Sequence, residues 1–137
     1  MSLVISVELD LDQSRFEEIE AVTRKILAEH GFGILTEIDA QATLKKKIDV
    51  DIRPYKILGA CNPPFAHKAI ELIPEIGALL PCNVIIYENK KGKITVSAMN
   101  PDVAMSVVKI DGIEAIASSV TEILSNVIRK VEKYFTE

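Results

Sequence analysis

The sequence predicts an α+β protein with a mostly antiparallel sheet and two long helices packed on one face of that sheet. Several short segments alternate apolar and polar residues, which is typical of half-buried strands. Two longer segments, one near each end of the chain, repeat apolar residues every three or four positions, as amphipathic helices do. Strand and helix segments are partly segregated along the chain, and this favours antiparallel pairing.

The predicted elements follow the order β-α-β(4)-α, with short extra helices between the strands. The first strand has Leu3, Ile5, Val7 and Leu9 on one face. The predicted elements are strand 3–9, a helix from about 14 to 30, strand 32–38, a helix from 40 to about 47, strand 55–61, a helix from 63 to about 73, strands 83–88 and 93–99, and a last helix from about 111 to 134.

The first long helix and the helix after strand 55–61 have recognisable ends. Ser14 and Glu17 form a possible capping box, and Gly31 is suited to the left-handed conformation that ends a helix. Asn62 is expected to cap the later helix, with Pro63 in its first turn, where a missing N–H costs nothing.

The remaining elements are also marked by turn and cap residues. Asp39 is a plausible N-cap for the helix that starts at Ala40, and Asp111 with Glu114 resembles a capping box for the last helix. Gly92 supplies the positive φ needed in the hairpin between the last two strands.

Strand 55–61 has two faces of similar apolar character. Alternation places Tyr55, Ile57, Gly59 and Cys61 on one face and Lys56, Leu58 and Ala60 on the other. We expect the face with Lys56, Leu58 and Ala60 to lie away from the helices. Self-association would then cover it, so the sequence predicts a homodimer.

The composition is that of an ordinary globular protein. The chain has 137 residues, 48% of them hydrophobic and 26% charged, and is expected to be one domain, residues 1–137. Its net charge of -4 argues against nucleic-acid binding, which needs clustered basic residues. We interpret the lysines at 45–47 and at 90, 91 and 93 as solvated surface.

The expected location is the cytoplasm. The N-terminal segment from Met1 to Ile5 lacks the basic region of a signal peptide, and no apolar run is long enough for a membrane helix. The two cysteines are therefore expected to be reduced thiols.

The candidate binding site consists of the two turns that contain the cysteines. Its residues are Cys61, Asn62, Pro81, Cys82 and Asn83. The site depends on the turns at Asn62 and Pro81 meeting at one end of the sheet. Met99 and Met105 lie near strand ends, where they either line an apolar pocket or fill the core.

Three interpretations of the cysteines remain open. They are inert core residues, a reactive thiol pair, or metal ligands. If the helix begins at Asn62, its N-terminus would favour a Cys61 thiolate, and neighbouring strands would bring Cys82 within disulfide reach. Metal binding is weakly supported because His67 falls on the polar side of its helix, so the sequence predicts no metal or cofactor.

Three segments resemble the family called domain of unknown function 302. They are residues 42–47, 54–63 and 77–84, of which Gly-Ala-Cys-Asn-Pro and Leu-Pro-Cys-Asn-Val are the most specific parts. The resemblance implies a β-α-β(4)-α arrangement like that of the TATA-box-binding protein fold, usually as a homodimer. It implies no established activity, and a fold alone would not transfer DNA binding.

No motif for catalysis or phosphate binding emerges. We therefore predict a dimeric, non-enzymatic binding or accessory module for a small, mainly apolar ligand. The alternative is a thiol-dependent redox enzyme or sulfur carrier that uses Cys61 and Cys82.

Overall fold

The five strands found in residues 2–137 all belong to one antiparallel sheet. A computed structural model describes residues 2–137, so Met1 of the N-terminal segment lies outside the described residues. The strands are β1 (Val4–Leu9), β2 (Gly33–Asp39), β3 (Tyr55–Cys61), β4 (Cys82–Glu88) and β5 (Ile94–Met99). Their spatial order is β1-β5-β4-β3-β2. The predicted α+β class and element order are confirmed.

Within residues 2–137, five helices connect and cover the strands. They are α1 (Phe16–Glu29), α2 (Ala40–Ile48), α3 (Pro63–Leu72), α4 (Pro101–Ala104) and α5 (Ile113–Thr136). Two 3-10 helices, Gln13–Arg15 and Pro74–Leu79, precede α1 and β4.

The helix ends confirm some of the predicted caps and correct others. The Asp39 side chain accepts a hydrogen bond from the Ala42 amide, as expected of an N-cap, and Gly31 has a φ of +84°. Neither predicted capping box forms. The Asp12 side chain, two residues before Ser14, caps the 3-10 turn that precedes α1. The N-cap of α5 is Gly112, which has a left-handed backbone conformation and no capping side chain. The N-cap positions predicted for Ser14 and Asp111 are therefore occupied by Asp12 and Gly112.

The main core lies between one face of the sheet and helices α1 and α5. Leu27 from α1 and Leu124 and Val127 from α5 are fully buried there. Leu58 and Ala60 of β3 are fully buried against the same helices. Our expectation that the Leu58 and Ala60 face lies away from the helices was therefore wrong. Alternation separates the two faces of a strand but does not show which one the helices cover.

The opposite side of the sheet, which we call the open face, is consequently the side of Tyr55 and Ile57. In register with these two residues are Tyr87 and Ile85 of β4, and the rings of Tyr55 and Tyr87 stack with their centroids 5.3 Å apart. These side chains are half-buried.

A second, smaller core cluster lies beyond the main one. It consists of Ala69, Ile76, Met105, Ile113 and Ala117, contributed by α3, the 3-10 helix Pro74–Leu79, the turn after α4 and the first turns of α5. Ile116 of α5 packs against both clusters and joins them.

Candidate functional site

The two cysteine-containing turns meet at the same end of the sheet. Strands β3 and β4 are antiparallel neighbours, and Ala60 pairs with Cys82 at the last position of their register. The chain between these positions leaves β3 through Asn62, passes through α3 and the 3-10 helix, and returns through Pro81. The predicted meeting of the two turns is therefore confirmed.

An apolar cavity of about 30 Å³ lies where the turns meet. It occupies the boundary between the two core clusters, because its lining combines Ala60 and Cys82 from the main cluster with Ala69 and Met105 from the smaller one. The lining residues are Phe32, Ala60, Cys61, Asn62, Phe65, Ala66, Ala69, Leu80, Pro81, Cys82, Pro101, Met105, Ile116, Ala117 and Val120.

Four of the five predicted site residues border this cavity, namely Cys61, Asn62, Pro81 and Cys82. Asn83 lies outside it. It is exposed and pairs with Gly59, so alternation puts its side chain on the open face. Asn83 therefore has no contact with a molecule held in the cavity.

Pro81 is positioned by Gly59. A Cβ atom at residue 59 would lie 2.9 Å from Cγ of Pro81 and would also collide with the Thr36 hydroxyl. The missing side chain allows Pro81 to lie against β3 at the end of the sheet. Packing therefore requires a glycine at position 59, which is the first residue of the Gly-Ala-Cys-Asn-Pro segment.

The two cysteines are not arranged as a redox pair. Cys82 shares a face with Ala60, whereas Cys61 is the next residue along β3 and shares the phase of Gly59. Both are free cysteines, although they border the same cavity.

The start of α3 presents few free backbone amides beside Cys61. Its first two residues, Pro63 and Pro64, have no backbone N–H, and the Ala66 amide already donates to the Asn62 carbonyl. Within residues 2–137, moreover, the Asn62 side chain makes no capping hydrogen bond. The expected cluster of free amides next to the thiol does not form.

Burial raises the pKa of the Cys82 thiol to about 11, with a smaller contribution from the neighbouring Cys61. Its side chain is 7% exposed. At neutral pH Cys82 is therefore a protonated, apolar wall residue, and its thiolate is scarce.

Neither histidine contributes to the cavity. His67 faces solvent on α3, as the sequence predicts. Its Nε2 atom lies 3.3 Å from a carboxylate oxygen of Glu71. The Nδ1 atom of His30 is 2.8 Å from the Ile26 carbonyl at the end of α1. Across the described range 2–137 there is no cluster of three or more His, Cys, Asp or Glu that could hold a metal ion.

Several lining residues could not be identified from the sequence. Phe32 lies in the turn before β2, Ala69 in α3 and Val120 in α5, and in the sequence each has the character of an ordinary core position. Met105 was recognised as a possible pocket residue and does line the cavity, whereas Met99, in register with Val4, packs against the main core.

The comparisons agree with this architecture. The model of the family described as "Domain of unknown function DUF302" matches residues 7–131, so the chain belongs to this family. It is similar to a solved structure, the "uncharacterized conserved protein DUF302 from Bacillus stearothermophilus", with a TM-score of 0.86 and 20% sequence identity. The match covers 96% of this chain and 99% of that chain, and shows the fold alone. No curated protein matches the sequence. The likeness to the TATA-box-binding protein fold stays a prediction.

Among residues 2–137, no helix is long and apolar enough to cross a membrane.

Proposed function

We propose that this protein is a non-enzymatic binding module that works as a cytoplasmic homodimer and holds a small apolar ligand in the cavity between β3, β4, α3 and α5. The observation that carries the proposal is the cavity itself, whose walls are formed by apolar groups from both core clusters. Apolar cavities of this kind stay dry and take up apolar molecules.

The size of the cavity limits the ligand. One water molecule needs roughly 10–15 Å³ of cavity volume. A cavity of about 30 Å³ therefore accommodates a ligand of very few heavy atoms without rearrangement. A larger ligand requires one wall to move. Aromatic rings of Phe32 and Phe65 and the thioether of Met105 supply polarisable contacts for such a guest.

Xenon under pressure tests the proposal with a probe of known chemistry. We expect NMR signals of cavity methyl groups, such as those of Ala69, Met105 and Val120, to shift with xenon pressure. Ala66→Leu places a larger side chain at the lining and should weaken these shifts, whereas Ala78→Leu, at an exposed position, should leave them unchanged.

Native mass spectrometry of the purified protein gives a second reading. A small molecule that copurifies with the protein and is lost in Ala66→Leu supports binding at this cavity. The proposal fails if xenon moves no methyl signal of the lining and no small molecule copurifies.

The thiol-dependent alternative receives no support from the geometry. Cys61 and Cys82 lie in opposite phases of the sheet, and the protonated Cys82 is a poor resolving thiol. A disulfide that forms rapidly under mild oxidation and is reversed by thiols would restore this alternative.

A further inference from the structure

We propose that residues 63–80 form a flap that opens as a unit, uncovers the cavity and exposes Cys82 while the five-stranded sheet remains folded. The inference rests on the proposed function and deepens it, because the opening would widen the route by which a ligand reaches the cavity. The opening itself is a property of the free protein.

Both ends of this segment are fixed side by side. The chain leaves β3 after Cys61 and enters β4 at Cys82, and the adjacent Ala60 pairs directly with Cys82. An excursion whose two ends are held by one antiparallel pair can swing away without changing the register of any strand.

The flap is held by few buried side chains. Within residues 63–72, Ala69 alone is fully buried, while Ile70 and Leu72 are each 44% exposed. In the 3-10 helix Ile76 is fully buried. The partly buried Phe65, Ile73, Leu79 and Leu80 also pack against the core clusters. Helices as short as α3 are marginal alone, and segments with few buried apolar contacts open at a lower free energy than the rest of a protein.

The cavity lies between the flap and the rest of the protein, because residues of α3 line it together with residues of β3, β4 and α5. Ala69 and Ile76 belong to the smaller cluster, whereas Cys82 and Ala60 belong to the main one. Moving the flap therefore takes Ala69 and Ile76 away from the rest of the smaller cluster, which stays with α5 and the turn before it, at a place where packing is already incomplete. Of residues 63–80, Phe65 alone packs against the main core, so the opening removes this one contact and leaves the buried residues between the sheet, α1 and α5 in place.

The alkylation rate of Cys82 measures this opening without any ligand. In a Cys61→Ser background, Cys82 is the remaining thiol of the chain. If the flap opens locally, iodoacetamide reacts with Cys82 much faster than global unfolding permits, and low concentrations of urea change the rate little. Native-state hydrogen exchange should show the same low-energy, urea-insensitive opening for the amides of α3.

Matched core variants separate local opening from global unfolding. Ile76→Ala removes the main anchor of the flap, and we expect alkylation to accelerate about thirty-fold, which corresponds to about 2 kcal/mol. Leu124→Ala weakens the main core and should leave the native alkylation rate unchanged. Ile76→Val should give a smaller acceleration in the same direction if Ile76→Ala folds poorly.

The outcomes distinguish this inference from the proposed function. If α3 amides and Cys82 become accessible only with global unfolding, and Leu124→Ala accelerates alkylation as much as Ile76→Ala does, the flap does not exist. If the flap opens as described but xenon does not bind, the inference stands and the proposed binding function fails.

Discussion

At the level of single residues, the cavity shows how position within a strand decides the chemistry of a cysteine. Cys82 is paired with Ala60 on the helix-covered face and is almost completely buried, whereas Cys61 lies in the opposite phase and is partly exposed. The same residue type thus serves as an apolar wall at one position and as an accessible thiol at the other. Their closeness in the fold does not by itself create a reactive pair.

Burial of Cys82 should make stability depend on pH at the alkaline end. The pKa of this thiol is raised from 9.0 to about 11, so the unfolded chain loses the proton before the folded one does. Its contribution is therefore fully present below pH 9 and is lost as the pH rises from 9 to 11, by roughly 2–3 kcal/mol.

Urea unfolding at pH 8, 9, 10 and 11 measures this loss. The free energy of unfolding of the wild type should fall more steeply over this range than that of Cys82→Ala, since tyrosines and lysines titrate in both proteins. Cys61→Ala serves as the matched control and should retain the wild-type slope. Parallel curves for the wild type and Cys82→Ala would show that Cys82 ionises equally easily in both states.

At the level of elements, an ion-pair network fastens the edge strand β2 to helix α1. Lys56 on β3 lies 2.9 Å from Glu20 of α1 and 2.8 Å from Glu37 of β2. Arg24 of α1 lies 2.8 Å from Glu20 and 2.9 Å from Glu37. The four side chains alternate in charge around a closed ring, so each charge has two opposite neighbours.

Removal of Lys56 should weaken this connection. Glu20 is only 13% exposed, so Lys56→Ala leaves a partly buried carboxylate with one cation instead of two. We expect the protein to lose about 1–2 kcal/mol of unfolding free energy, measured by urea denaturation.

Lys45→Ala is the matched control for that substitution. Lys45 also contacts two carboxylates, Asp49 and Asp51, but both of these side chains are 85% exposed and the lysine is 54% exposed. Its loss should cost no more than about 0.5 kcal/mol. Equal effects of the two substitutions would mean that the ring adds nothing beyond ordinary surface pairing.

The elements themselves were largely predictable from local patterns. Strand β3 begins at Tyr55 and ends at Cys61 as predicted, because alternation is uninterrupted and an Asn-Pro-Pro turn follows it. The packing of α3 was less predictable, since its large apolar residues Ile70 and Leu72 remain well exposed. A helical repeat shows which residues share a side, but tertiary packing decides how much of that side is covered.

The candidate site was predictable only where turns mark it. Asn62 and Pro81 are strong local signals, and they led to the correct end of the sheet. The contribution of Val120 depends on how α5 crosses the sheet, and that of Phe32 depends on the register of β2 beside β3. These long-range arrangements leave no pattern in the neighbouring residues.

At the level of the whole molecule, the open face is the surface that suits the proposed homodimer. Its centre consists of the half-buried Ile57, Ile85, Tyr55 and Tyr87. Within residues 2–137, Glu8 is the one charged residue among the strand residues of this face. The side-chain amide of Asn89 donates a hydrogen bond to its carboxylate. A nearly uncharged face can pair with its own copy without repulsion, although the protein has a net charge of -4.

The dimensions of the open face suggest a weak dimer. Five strands about 4.8 Å apart, each about 20 Å long, give a flat area of roughly 500 Å² per subunit. Stable interfaces typically bury about 800 Å² per partner. We therefore expect dissociation in the micromolar range, visible by sedimentation at several protein concentrations.

A charge placed at the centre of the open face should prevent this association without unfolding the subunit. In Ile85→Lys, two lysines would meet in a dehydrated interface, so we expect a monomer at every concentration, with a circular dichroism spectrum like that of the wild type. Ile48→Lys is the matched control, because Ile48 lies on α2 and is 62% exposed, and it should leave the dimer intact. A wild-type protein that sediments as a monomer at several hundred micromolar would refute the dimer. A dimer that survives Ile85→Lys would place the contact elsewhere. At the open face the two buried lysines would find no acidic side chain on the central strands to neutralise them.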